Sequence, residues 1–303
     1  MKTLRRRDFL KISAGSGAAL AVAPGRLSSR PQVGQVPPWT SPLARGLVSP
    51  GGPTKVRVAK IYLGLPNPHW PKPSLNLQEE IKTYEDQFRR MKEEFSDVDF
   101  TVNILASKPE EVLQQADKIK EADGILAIHL TIWITPILEA ILKFQKPTVL
   151  FAAPYSGHEW TYYGSLMKQD KGQWLDCLLT SDRRQLATAV RPFRAIHHLR
   201  EARILNLTTA PFEEYAGQVK EKFGTEIKRI TLDRVEKTYA SISEAEARRE
   251  AELWYNGAEK VVEPSREEVY KSARLALAFE KLVEEEQATA LTVDCYGTMW
   301  DKT

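Results

Sequence analysis

The sequence predicts an α/β protein of two consecutive parallel-sheet domains, Rossmann-like or flavodoxin-like in kind. Three observations predict it. From Val56 onward, short apolar runs rich in β-branched residues alternate with amphipathic helical stretches. The connections between them are short, as right-handed strand–helix–strand crossovers require. The ends of the apolar runs collect glycine, proline, histidine and aromatic residues, and strand ends are where an open α/β sheet binds ligands.

Composition narrows the function classes. With 42% hydrophobic and 27% charged residues, the 303-residue chain has the make-up of a globular protein. The net charge is only +3, and Arg5, Arg6, Arg7, Arg26, Arg30 and Arg45 all precede Lys55. The folded part is therefore close to neutral, which excludes a nucleic-acid footprint. Two cysteines, Cys177 and Cys295, make neither a disulfide scaffold nor a zinc cluster; two free buried thiols are expected, with a single bridge between them the alternative in an oxidising compartment.

The amino terminus reads Arg5-Arg6-Arg7-Asp8-Phe9-Leu10-Lys11 and then a short, weakly apolar stretch to Ala23. It resembles a twin-arginine signal, with Arg6-Arg7 as the pair, and is too short to span a bilayer. Residues 1–23 are thus expected to be an export signal read by the Tat translocase, placing the protein in the periplasm or another extracytoplasmic space. Residues 24–54 hold seven prolines and no apolar period, and predict a Pro/Gly-rich linker without regular structure.

The first domain is expected over residues 55–165. Val56–Leu63 reads as a strand, followed by a loop with four prolines that carries His69 and Trp70. A tryptophan on so stiff a loop loses little entropy on binding, which makes His69 and Trp70 candidates for a ligand or a neighbouring subunit. Residues 75–95 form an amphipathic helix, with Leu77, Ile81, Tyr84, Phe88, Met91 and Phe95 at three- and four-residue steps. A strand at 98–105 follows, and then a helix with Ser107 and Glu110 at capping-box spacing. Residues 124–130 are a strand ending at His129, which is expected to be a hydrogen-bonded core residue. A short apolar helix covers 133–144. The strand at 146–153 ends in Tyr155, Ser156, His158 and Glu159, and His158-Glu159 are the better polar candidates there. No Gly-x-Gly-x-x-Gly follows the first strand and no Walker motif is present, so a nucleotide site is not expected.

The second domain is expected over 166–303. Residues 164–180 read as an irregular crossing. A long helix at 183–201 should kink or break at Pro192, and its adjacent His197-His198 point about a hundred degrees apart, which suits structural residues rather than a metal pair. Strands are expected at 202–208 and 226–232, the latter with Asp233 at its tip. They flank a helix closed by Gly224, and charged helical sequence follows. Ser265 and Glu268 have capping-box spacing before the next helix, which leads to a strand at Ala290–Val293 and the group Asp294-Cys295-Tyr296-Gly297.

The order of the two α/β units, with Arg274-Leu275-Ala276-Leu277-Ala278 and the run from Ala288 to Gly297, resembles the L-fucose isomerase-like sugar isomerase family, in its amino-terminal and middle domains. The resemblance implies aldose–ketose interconversion on a small sugar, a divalent metal such as manganese, and a homo-oligomer with sites shared between subunits. It also implies that the metal ligands lie in a carboxy-terminal part this sequence does not include. No ligand is therefore carried over, and the chain alone is expected to be inactive. Asp294 and Cys295 would be floor or lining of the sugar pocket. The alternatives are a periplasmic solute-binding protein of two lobes, which would need several chain crossings between them, and an interaction module.

Overall fold

The computed structural model describes residues 54–156 and 159–300; the side chains of 157–162 and 298–300 fall outside that description. The expected signal, residues 24–53 and His158 therefore lie outside the described residues. The described chain builds two all-parallel sheets with helices between their strands, an α/β architecture.

The first sheet has the order β2-β1-β3-β4-β5. Its strands are β1 (Val56–Leu63), β2 (Val98–Ala106), β3 (Gly124–His129), β4 (Thr148–Ala152) and β5 (Leu175–Leu179). Every residue of β3 and β4 is buried, which is why both read as continuous apolar runs rather than alternating ones. Strand β1 feeds two cores. Val56, Val58 and Tyr62 pack against Tyr84 and Phe88 of α1 (Leu77–Arg90) and against Leu186, Val190 and Phe193 of α6 (Leu186–Glu201). Ala59, Ile61 and Leu63 face the other core. That core includes Val112 of α2 (Pro109–Leu113), Ile119 of α3 (Ala116–Glu121), Ile137 and Ile141 of α4 (Thr135–Leu142) and Leu166 of α5 (Glu159–Leu166). Gly124 is required where α6 crosses β3, because a Cβ there would sit 2.1 Å from the Phe193 ring.

Several expectations need correction. Residues 164–180 are not irregular: they hold the end of α5, a 3-10 turn at Asp170–Trp174, and β5, which pairs with β4. The first sheet and its helices thus run to Glu201, past residue 165. Ser107 does not cap a helix with Glu110. The Glu111 carboxylate instead accepts from the N–H groups of Ser107 and Lys108, while the Ser107 hydroxyl donates to the Gly64 carbonyl. Helix α6 runs through Pro192 without a break; the proline is exposed, where water can meet the carbonyl that loses its N–H partner.

The second sheet has the order β7-β6-β8, from β6 (Arg203–Leu207), β7 (Glu226–Ile230) and β8 (Ala290–Val293). Gly224, at φ 78°, ends α7 (Glu213–Phe223) in the left-handed conformation as expected. Asp233 is not at a strand tip. It lies in the first turn of α8 (Leu232–Ser241), where the Thr231 side chain accepts from the Arg234 N–H. After α9 (Glu244–Gly257), α10 (Arg266–Glu285) starts on the full Ser265–Glu268 capping box. Leu282 and Val283 of α10 pack with Leu205, Leu207 and Ile230. Among the described residues no helix is long and apolar enough to cross a membrane.

One charged side chain enters the first core. Lys60 of β1 is 3% exposed and lies 4.2 Å from the centroid of the Phe88 ring. Its Nζ donates to Glu85 at 2.6 Å, and the Tyr62 hydroxyl donates to the same oxygen at 2.7 Å. Burial pulls the Lys60 ammonium below its usual range, and the pairing with Glu85 offsets part of that. Replacing Glu85 by Ala strands this ammonium and should cost about 3 kcal/mol, whereas Lys60→Met should cost no more than about 1 kcal/mol. Urea unfolding of the two variants checks the order.

Candidate functional site

In the order β2-β1-β3-β4-β5, connections leave β1 and β3 in opposite directions, the switch point at whose carboxyl ends open α/β sheets carry their ligand crevice. The backbone there is closely tied. The Leu130 N–H donates to the Leu63 carbonyl at 2.9 Å, and the Leu65 N–H donates to the buried Thr131 hydroxyl at 2.9 Å. These bonds fix the starts of both loops. They also place His69, from the loop after β1, against Trp133, from the loop after β3. The two rings meet edge to face, with centroids 5.9 Å apart and planes at 78°.

Trp133 is 60% exposed and has φ 69°. A bulky residue in left-handed backbone costs about 1–3 kcal/mol, and such strain persists where the surroundings impose it. Trp70 is also exposed, as is Tyr155 beyond β4. The edge therefore presents three large aromatic side chains to solvent, with His69 beside one of them.

His129, at the end of β3, is fully buried, and its Nδ1 lies 2.5 Å from Ser156 Oγ. The Ser156 hydroxyl gives its hydrogen to the Ala153 carbonyl at 2.7 Å, so its oxygen must accept from His129. The proton therefore sits on Nδ1. His129 acts as a staple between β3 and the loop after β4, in line with the core role expected for it.

That loop carries Tyr155, whose hydroxyl accepts from Arg183 Nη2 at 3.3 Å. Arg183 also lies over the Tyr84 ring at 5.0 Å and 3.9 Å from Glu80. Burial, ahead of the neighbouring charges, pushes the Tyr84 phenol up to about 12. Arg183 escapes sequence reasoning because it belongs to a 3-10 turn after β5, a strand the sequence does not announce. Of the other candidates, Glu159 begins α5, with its side chain outside the description.

Asp294 and Cys295 stand on the second sheet, not at this edge. Asp294 Oδ1 accepts from the Gly297 N–H at 3.0 Å, and Oδ2 accepts from the Thr208 hydroxyl at 2.9 Å. The Gly297 bond first, then the Thr208 bond, holds its carboxyl below the usual range. This is helix capping at the start of α11 (Cys295–Trp300), and it ties β8 to the end of β6.

A manganese site needs several oxygen donors together, mostly carboxylates. The described side chains at the first crevice do not fit that need: they are His69, Trp70, Trp133 and Tyr155, with Glu80 turned to Arg183. Among the described residues, the donor grouping within 4.8 Å is His197, His198 and Glu201, at the opposite edge of the sheet.

Neither cysteine forms a disulfide, and they are not both buried: Cys295 is exposed and Cys177 is partly covered. Burial, then Asp176, pushes the Cys177 thiol up to about 11. At pH 8 an aromatic disulfide reagent should therefore label Cys295 first. Labelling of Cys177 should speed up about tenfold per pH unit towards pH 10, because the thiolate is the reacting form. A rapid double label at pH 8 would contradict this. No protein-family model matches this chain, and no curated protein matches it.

Proposed function

We propose that this chain is an exported sugar-binding α/β protein of the L-fucose isomerase-like kind, and that the sugar lies against the aromatic edge at the β1/β3 crevice. The observation that carries the reading is Trp133, held exposed in left-handed backbone against His69. A sugar has an apolar C–H face and a rim of hydroxyls. A fixed aromatic plane covers the first, and the Tyr155 hydroxyl, the Arg183 guanidinium and His69 can meet the second. The chain's own residues thus bind and orient the sugar. Aldose–ketose isomerisation would use a divalent metal to polarise the sugar oxygens, and the described crevice does not supply ligands for one.

The run of strands favours this reading over a two-lobed solute-binding protein. Strands β1 to β5 form one sheet and β6 to β8 the other, so the described chain passes between them once. A binding protein with a hinged cleft needs repeated crossings. Passage through the Tat translocase, a periplasmic location and a shared homo-oligomeric site belong to the same proposal. They rest on the Arg6-Arg7 motif and on the resemblance over the two α/β units.

Trp133→Gly tests the site. It removes the ring and also relieves the left-handed strain, so thermal stability should hold or rise while sugar affinity falls about tenfold or more. Calorimetry with a panel of aldopentoses and aldohexoses, with and without manganese, reads this. Absence of saturable sugar binding by the native chain would sink the proposal, and ketose formation would add catalysis to it. For export, Arg6→Lys with Arg7→Lys should strand the precursor in the cytoplasm on fractionation.

A further inference from the structure

The amino-end edge of the first sheet holds a second constellation, away from the crevice. It lies where Thr54 precedes β1, Asp123 precedes β3 and the last turn of α6 passes both. His197 and Glu201 are four residues apart, so they share a face of α6, and His197 Nε2 is 3.3 Å from Glu201 Oε2. His198 brings a second imidazole, with ring centroids 5.4 Å apart, and donor atoms of the three residues lie within 4.8 Å of one another. The adjacency of His197 and His198 made them look purely structural in sequence. The partner that changes this is Glu201.

The second imidazole nitrogen is already oriented. His197 Nδ1 is 2.9 Å from Asp123 Oδ2, which also accepts from the Arg57 N–H at 2.9 Å, while Arg200 lies 3.5 Å from Oδ1. Asp123 Oδ2 is thus an acceptor, so Nδ1 carries the hydrogen and a neutral His197 turns its Nε2 lone pair outward. That lone pair meets Thr54 Oγ1 at 2.7 Å. The single hydrogen of Thr54 is directed to Glu201, with which it makes a short contact. Imidazole nitrogen, hydroxyl oxygen and carboxylate oxygens therefore face one another with one hydrogen among them.

We propose that His197 Nε2, His198 and Glu201 form a site for a zinc-class divalent ion, with Thr54 Oγ1 at its edge. Two imidazoles and one carboxylate suit zinc better than manganese. Two ligands about 2.0–2.1 Å from a tetrahedral zinc are about 3.4 Å apart, close to the spacing of His197 Nε2 and Glu201 Oε2. The carboxylate behind His197 is the usual support for a metal-bound imidazole. An ion here fastens the end of α6 to the starts of β1 and β3.

The test is zinc titration of the untagged full chain after chelator treatment, with cobalt as the spectroscopic probe. The expected result is one ion per chain and visible cobalt bands of a four- or five-coordinate site. His198→Ala and Glu201→Gln should each weaken binding about tenfold or more, and Asp123→Asn should weaken it about 10–100-fold. His198 is exposed, so His198→Ala should leave the fold intact by circular dichroism. Binding unchanged in both His198→Ala and Glu201→Gln, or no binding near one equivalent, overturns the site.

Discussion

The parallel pairing of β1 with β2 on one side and β3 on the other is the constraint from which the rest of the first sheet follows. It buries β1 on both faces, so its sequence must be apolar in both registers of the pleat. Arg57 stays partly exposed near the amino end; Lys60 is the buried exception, and its charge is tolerated because Glu85 and the aromatic rings of Phe88 and Phe100 surround it. The same pairing sends the two loops apart at the carboxyl edge. The Leu65–Thr131 bond then decides how far apart they go, and hence that His69 and Trp133 meet.

The two edges of this sheet have different chemistry for a common reason. In a parallel sheet all carboxyl ends lie on one side and all amino ends on the other. The carboxyl edge collects loop residues, which are aromatic and exposed here. The amino edge collects the ends of helices, and so the last turn of α6 brings His197, His198 and Glu201 to Thr54 and Asp123. An aromatic edge and a histidine–carboxylate edge thus coexist without competing for side chains.

Much of this was legible in the sequence, and the failures have physical causes. The strand–helix alternation, the capping box at Ser265 and Glu268, the Gly224 stop and the exposure of His69 and Trp70 follow from local chemistry. Strand β5 did not, because Leu175-Asp176-Cys177-Leu178-Leu179 is short, sits at a sheet edge and lacks β-branched residues. Its loss hid Arg183, which follows it. The left-handed backbone of Trp133 was unreadable because tertiary packing imposes it against intrinsic preference. At Asp294 the sequence showed a carboxylate at a strand end but not its local bond: it accepts from the Gly297 N–H, one of the orphan N–H groups of the next helix.

The second sheet also has a temporal side. Strands β6 and β7 are close in sequence and can pair early, but β8 joins β6 from some way along the chain, as the 86-residue separation of Thr208 and Asp294 indicates. Until β8 arrives, one edge of β6 offers unpaired backbone groups to any extended segment nearby. Such distant pairings form slowly. During synthesis, therefore, this edge of β6 stays open until β8 arrives and covers it, held by the Thr208–Asp294 bond.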